Sequence, residues 1–341
     1  MSEPSIVGLQ PWLPRLLSRW RWWTEPIRAE RLAAFRIGLA AILLIDVLVA
    51  YLPGVDDFFG PNSLGSPEVF AGRRELPRWN WSLLSSVNDS RLFYGTIAAW
   101  AGAAACLLLG LSTRTSAMIA WVLTISVMNL NYYLHNAGDR VRVIGLFYLM
   151  LCPSGVVWSL DHWWRRTKLK RDQDSGENQV SAGGSVFIHP WPLRLLFVQM
   201  AVIYFFSGFF KMMGSQWRSG TSLHYILADL GWTRFSHAHL PLPYWATRLL
   251  TWSVLIWEIG FPILVLSSIT RTITLWIGVV FHVATAISLE LGTFPFYMLC
   301  FYLPLIPWER YVERWRQKKD ARTYSNEAKK RAGAPSVPSI L

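Results

Sequence analysis

Charge is scarce in this sequence. Only 16% of its 341 residues are Asp, Glu, Lys or Arg, against 52% hydrophobic, where a soluble domain carries about 25% charged residues. The shortage excludes an ordinary soluble enzyme. It also excludes a disordered chain, which needs high charge and low hydrophobicity. Cysteine is nearly absent: Cys106, Cys152 and Cys300 lie in apolar stretches and make neither a disulfide framework nor a metal-binding spacing. No strong internal repeat supports a transporter-like duplication. The first 25 residues lack an apolar core followed by a small-residue cleavage site, so no cleavable signal peptide is expected.

Long apolar runs are present instead, with 20 Trp, 18 Phe and 12 Tyr spread across them. About 20 residues of helix cross a hydrocarbon core, and the period-two alternation of a barrel strand is missing. The runs predict an all-α polytopic membrane protein with about eight spans, over 32–52, 93–111, 114–133, 141–158, 192–211, 246–267, 272–289 and 292–307. The fourth and eighth are short and contain Pro153 and Pro304, so a re-entrant or buried helix is the alternative there.

The net charge of +12 superficially suggests nucleic acid. Its placement argues for topology, because membrane proteins keep Lys and Arg on the cytoplasmic side. With both termini cytoplasmic, one side holds Arg15 to Arg31, Arg114, the cluster Arg165 to Arg171, Arg194, Arg271 and the basic tail. No nucleic-acid partner is expected; a lipid surface is, and the bacterial inner (plasma) membrane is the expected location. The organisation reads as an interfacial segment over 1–24, a membrane domain over 25–307 and a basic tail over 308–341. A cytoplasmic linker interrupts the domain at about 160–190, and composition predicts disorder in the tail from Gln317.

An ionisable group inside a span needs a partner, water or a function. Arg36 and Asp46 share the first span about 15 Å apart along the axis, too far to pair directly. Each calls for a partner on another helix, either to hold the fold or to contact substrate. Glu258 sits mid-span beside Gly260 and Pro262, where it could hold a cation, share a proton or pair with Arg36. Lys211 closes the run Tyr204–Phe205–Phe206–Ser207–Gly208–Phe209–Phe210–Lys211, followed by Trp217. It is either a general base in an apolar pocket or a lysine snorkelling to the boundary. His282 can relay a proton or bind a neighbouring helix. Glu290, eight residues on, would share its helical face near an outer vestibule with Lys211.

The loop Asn129 to Arg142 is dense in hydrogen-bonding residues, and His135, Asp139 and Arg140 are candidates to orient substrate or cap a helix. Ser219–Gly220–Thr221 suggests a helix start. His237 and His239 form a His-x-His pair without an acidic partner at ligand spacing, so no metal site is assigned.

Together these residues resemble the vitamin K-dependent gamma-carboxylase-like family, the horizontally transferred transmembrane-domain (HTTM) proteins. The matching signals are Phe35–Arg36 with Asp46, the turn Gly110–Leu111–Ser112–Thr113–Arg114, Val157–Trp158–Ser159–Leu160–Asp161, the Tyr204–Lys211 run with Trp217 and Gly220, and Phe281–His282 with Gly292–Thr293–Phe294. The resemblance covers about 25–307. It implies reduced vitamin K or another quinol as cofactor, with Lys211 as the base that deprotonates it and His282 beside it. In the carboxylases the oxygenated quinone then removes a glutamate γ-proton, and the carbanion takes carbon dioxide.

Two departures matter. Where the eukaryotic carboxylase carries Asn-Asn-His, this sequence has Gly138–Asp139–Arg140, so that histidine is missing unless His135 substitutes. The carboxylase also continues into a large exported domain that grips its substrate, whereas this chain is expected to end soon after its last span. The resemblance therefore implies a membrane enzyme acting at the outer face on a quinol, lipid or exported peptide. The alternative is a non-enzymatic membrane partner assisting maturation or export of a secreted peptide, with recognition supplied by another protein. A solute transporter comes third.

Overall fold

A computed structural model describes residues 24–59, 63, 82–84, 87, 89–130, 136–173, 186–235 and 242–332. The chain forms two compact units, Met1–Leu305 and Ile306–Leu341.

In the first unit the apolar run Glu30–Asp46 forms α1. Its last turns widen into π geometry over Val47–Tyr51, with a second wide turn at Val55–Phe59. Leu32, Phe35, Leu39 and Leu43 recur at helical spacing and are fully buried. Within the best apolar window of α1, 56% is buried, against 22–33% for the other long apolar helices, so α1 is the central post of the bundle.

Helices α2 (Ser90–Leu109) and α3 (Thr113–Leu130) form a hairpin. The Asp89 side chain caps α2 by accepting from the Arg91 N–H at 2.8 Å. Gly110, at φ 75°, ends it in the left-handed conformation. Helix α4 (Ala137–Leu151) begins with a reciprocal capping box between Asn136 and Asp139. Helix α5 (Leu160–Gln173) is strongly polar.

The chain then returns through a short antiparallel pair, β1 (Ile27–Arg28) with β2 (Phe187–Ile188). It enters α6 (Trp191–Met213), whose first turn carries Pro192. Short helices α7 (Ser215–Ser219) and α8 (Ser222–Ala228) follow, separated by Gly220 and Thr221. Helix α9 (Tyr244–Leu264) packs along α6, and α10 (Ser268–Ser288) follows it. The unit closes with α11 (Phe294–Cys300) and a 3₁₀ turn at Leu303–Leu305 that packs against α1.

The sequence predicts about eight spans. Among the described residues, five helices are long and apolar enough to cross a membrane: α1 with its π extension, α2, α6, α9 and α10. Helix α3 carries Arg114, Asn129 and several hydroxyls. Helix α4 starts on Asp139, Arg140 and Arg142. The segment Phe294–Leu305 is apolar but short, because the helix breaks before Pro304. Apolar side chains such as Ile256, Ile263, Ile273 and Val280 project outward and stay exposed, as a lipid-facing surface requires.

Helix ends sort into two groups. At one end the start of α1 meets the α4–α5 loop and β2. Asp161, in the first turn of α5, accepts from the Ser112 and Thr113 N–H groups at the start of α3 at 3.0 and 3.4 Å. At the other end the loop after α8 pairs with the end of α10 through Thr233 and Leu289. The second unit is α12 (Trp308–Ala332).

Candidate functional site

Ser207, Gly208 and Lys211 lie on the face of α6 that meets α9. A Cβ on Gly208 would stand 2.9 Å from the Ile259 amide nitrogen and 2.9 Å from the Glu258 Cβ. Only glycine permits that approach, and the approach brings Lys211 onto Glu258. The Lys211 Nζ donates to both Glu258 oxygens at 2.5 and 2.6 Å and to the Ser207 hydroxyl at 3.2 Å. It also stands 5.2 Å from the Trp217 ring centroid, within cation–π range. The Glu258 side chain is 3% exposed and that of Lys211 25%, so the pair is reached from the lysine side. The expected pairing of Glu258 with Arg36 is not formed: Glu258 is ion-paired with Lys211, and Arg36 is held elsewhere.

Two helical turns earlier on α6, about 10 Å along the axis, lies Tyr204. Its hydroxyl is 2.6 Å from the His282 Nε2 and 2.6 Å from the Tyr302 hydroxyl. These groups are 2%, 1% and 5% exposed. The rings of Trp257 and Phe261 stand 4.7 and 4.5 Å from that of Tyr204 and seal the chain of hydrogen bonds. The His282 Nδ1 is buried without a hydrogen-bond partner among the described residues, an arrangement that ordinarily calls for a bound group or water. Glu290 does not share the His282 helical face. Helix α10 stops at Ser288 because the backbone there pairs with the loop after α8, with Glu290 N–H donating to the Trp232 carbonyl at 2.8 Å. Its exposed carboxylate meets Arg234 at 3.4 Å.

Asp46 belongs to a separate buried network centred on Arg142. This guanidinium is fully buried and donates to Asp46 at 2.6 Å, Asp139 at 2.7 Å and the Tyr51 hydroxyl at 2.8 Å. The Tyr297 hydroxyl donates to Asp46 at 3.0 Å, and that of Tyr51 to Asp139 at 3.0 Å. The rings of Tyr51, Trp100 and Tyr297 surround the cation at 5.1, 5.2 and 5.7 Å. One arginine against two carboxylates leaves the network formally negative, and the tyrosine hydroxyls add hydrogen bonds to both carboxylates. Asp139 is thus committed twice, to the cap of α4 and to Arg142, while Arg140 faces outward.

Arg36 serves the opposite end of α1. It is fully buried and donates to the Ser154 carbonyl at 2.8 Å and to the Trp158 carbonyl. It therefore clamps the α4–α5 loop, in which Trp158 adopts a positive φ of 52°. His135, His237 and His239 lie outside the described residues.

The structure thus joins Lys211 to Glu258 and Trp217, and His282 to Tyr204 and Tyr302. Arg36, Asp46 and Glu290 fall in three other places. Sequence reasoning did not single out Arg142, Tyr51, Tyr297 or Tyr302. For Arg142 a signal existed, since it follows Asp139 by one helical turn and a charge there must be paired. The three tyrosines carry no local signal.

A helical membrane domain with a lipid-facing apolar surface and ion pairs shut inside it defines this chain as an integral membrane protein. Residues 24–307 match the HTTM domain, most of the chain, and the protein belongs to that family. No curated protein and no solved structure matches it.

Proposed function

We propose that this protein is a membrane enzyme related in design to the vitamin K-dependent gamma-carboxylases, with Lys211 as its general base. Its substrate is a quinol, lipid or exported peptide reached at the outer face of a bacterial inner membrane. The Lys211–Glu258 pair carries the reading. A buried carboxylate holds an accessible amine beside the Trp217 ring, and a proton can pass from Nζ to a Glu258 oxygen over a 2.5 Å contact. That single transfer turns an ion pair into a neutral amine and a neutral acid. The neutral amine then accepts a proton from a substrate hydroxyl, and Glu258 retains its own.

The residues fit a reduced quinone. Trp217 would stand beside its ring, and Lys211 and the unpaired His282 Nδ1 would be available to its hydroxyls. Such a quinol, when bound, would supply the oxygen-dependent strong base of the carboxylases. Lys211 would take its proton, and the Tyr204–His282–Tyr302 chain would hold the buried end of the site dry and fixed.

About eight crossings with both termini cytoplasmic suit the same reading. The helix ends near Arg36, Arg114 and Arg165 gather at one end, and the end carrying Lys211 lies opposite.

The decisive measurement is quinol consumption by the purified protein, with reduced vitamin K or menaquinol and a glutamate peptide. Lys211→Ala alone orphans a buried carboxylate, so Lys211→Met with Glu258→Gln is the cleaner variant. Both are expected to lose turnover at least about a hundredfold, while the double variant keeps the wild-type unfolding temperature. Unchanged turnover in a folded double variant would sink the enzymatic reading. A bidentate Lys–Glu pair is also what holds two helices together in a purely structural role. The second reading is therefore a non-enzymatic partner in maturation or export of a secreted peptide, and it predicts wild-type function in that same variant.

A further inference from the structure

An open groove of 1020 Å³ lies at the opposite end of the domain, between the start of α3, the α4–α5 loop and the first turns of α5. Its charged lining is Arg114, Asp161, Arg165 and Lys168. Asp161 is already engaged, because its carboxylate accepts from the Ser112 and Thr113 N–H groups. The N-terminus of α3 is therefore satisfied and does not itself call for an anion. Arg165 bends into the wall and donates to the Asp161 and Gly155 carbonyls at 3.0 and 3.1 Å. Arg114 and Lys168 remain, with no carboxylate in contact among the described residues. Two cations facing one groove without a counter-ion repel each other unless an anion joins them.

The surroundings identify the kind of anion. Helix α5 is too polar to cross a bilayer, yet Trp163 and Trp164 are 61% and 66% exposed on it. Indoles beside Arg and Lys are the signature of a helix lying at headgroup level. One turn beyond Arg114 and Thr115 on α3, Met118 and Ile119 are exposed as well, and they lead from the groove along the apolar flank of the bundle. A soluble phosphate needs neither the volume nor that flank.

We propose that this groove binds the phosphodiester of an anionic phospholipid, with Arg114 and Lys168 on the phosphate and an acyl chain along Met118 and Ile119. Basic pockets between helix ends hold such headgroups elsewhere. This assignment is independent of the chemistry at Lys211.

Full-length protein in detergent tests it by native mass spectrometry and thermal unfolding, with phosphatidylglycerol, phosphatidylcholine or inorganic phosphate added. The expected result is retention of phosphatidylglycerol in preference to phosphatidylcholine, with a higher unfolding temperature. Arg114→Gln with Lys168→Gln should weaken phosphatidylglycerol binding roughly tenfold or more and leave phosphatidylcholine unaffected. If that variant does not fold, Lys168→Gln alone, a change on the exposed face of α5, should give a smaller loss in the same direction. Equal binding of both lipids by the wild type, or unaltered phosphatidylglycerol binding in the folded variants, overturns the proposal. Full stabilisation by inorganic phosphate alone overturns the lipid as the source of the anion.

Discussion

Arg142 shows how a single residue governs the interior of this membrane domain. Its guanidinium joins α1, α4 and α11 through the buried Asp46, Asp139 and Tyr297. Breaking a buried pair from one side strands the remaining charges. Arg142→Met is therefore expected to cost about 3–5 kcal/mol, read as a loss of folded protein in denaturant titration. Arg142→Met with Asp46→Asn should recover part of that loss. Lys211 behaves differently: its amine reaches the surface, and Lys211→Ala should cost less, about 1–3 kcal/mol. The need for partners was legible in the sequence, since Arg36, Asp46 and Glu258 all stand inside apolar runs. Their identity was not, because Asp46 and Arg142 are 96 residues apart and no local spacing links them. The same limit hid Tyr302, which meets Tyr204 from 98 residues further along the chain.

At the scale of the element, helix contacts are set by small residues and helix lengths by where the backbone finds other partners. Gly208 permits α6 to approach α9, and a Cβ there collides with a backbone nitrogen that cannot rotate away. Gly208→Ala is expected to lower stability by about 1–3 kcal/mol and to spread Lys211 from Glu258. Gly102→Ala on α2 is the control, since nothing lies within 4 Å of its added Cβ, and it should be neutral or slightly stabilising. Unfolding temperatures of the two variants check the contrast. Apolar length placed α1, α2, α6, α9 and α10 correctly, because a long uninterrupted apolar helix is the strongest signal a membrane chain carries. It failed at Glu290, where pairing with Trp232 replaces the last helical turn, and at 292–307, where α11 breaks into a 3₁₀ turn. Periodicity does not reveal which backbone groups will find distant partners.

For the whole molecule, the placement of basic residues and the gathering of helix ends describe one polarity. Single cysteines introduced at Lys168 and at Ser219 should label from opposite sides of intact cells or spheroplasts with a membrane-impermeant maleimide. Background should be low, since Cys152 and Cys300 are buried and Cys106 is partly so. Labelling of both positions from one side would refute the two-ended arrangement. The β1–β2 pair adds a constraint on time. Ile27 pairs with Ile188, and Leu303 packs close to Gly38 on α1. Helix α1 leaves the ribosome before the other described helices of the domain, yet β2 emerges on the order of ten seconds later at ordinary synthesis rates, and the Leu303 turn that packs on α1 later still. Such distant closures carry a high entropic cost until the intervening helices are in place. The central post is thus synthesised before its partners and completed last, because the groups that satisfy Arg36 and Asp46 lie on the α4–α5 loop, α4 and α11.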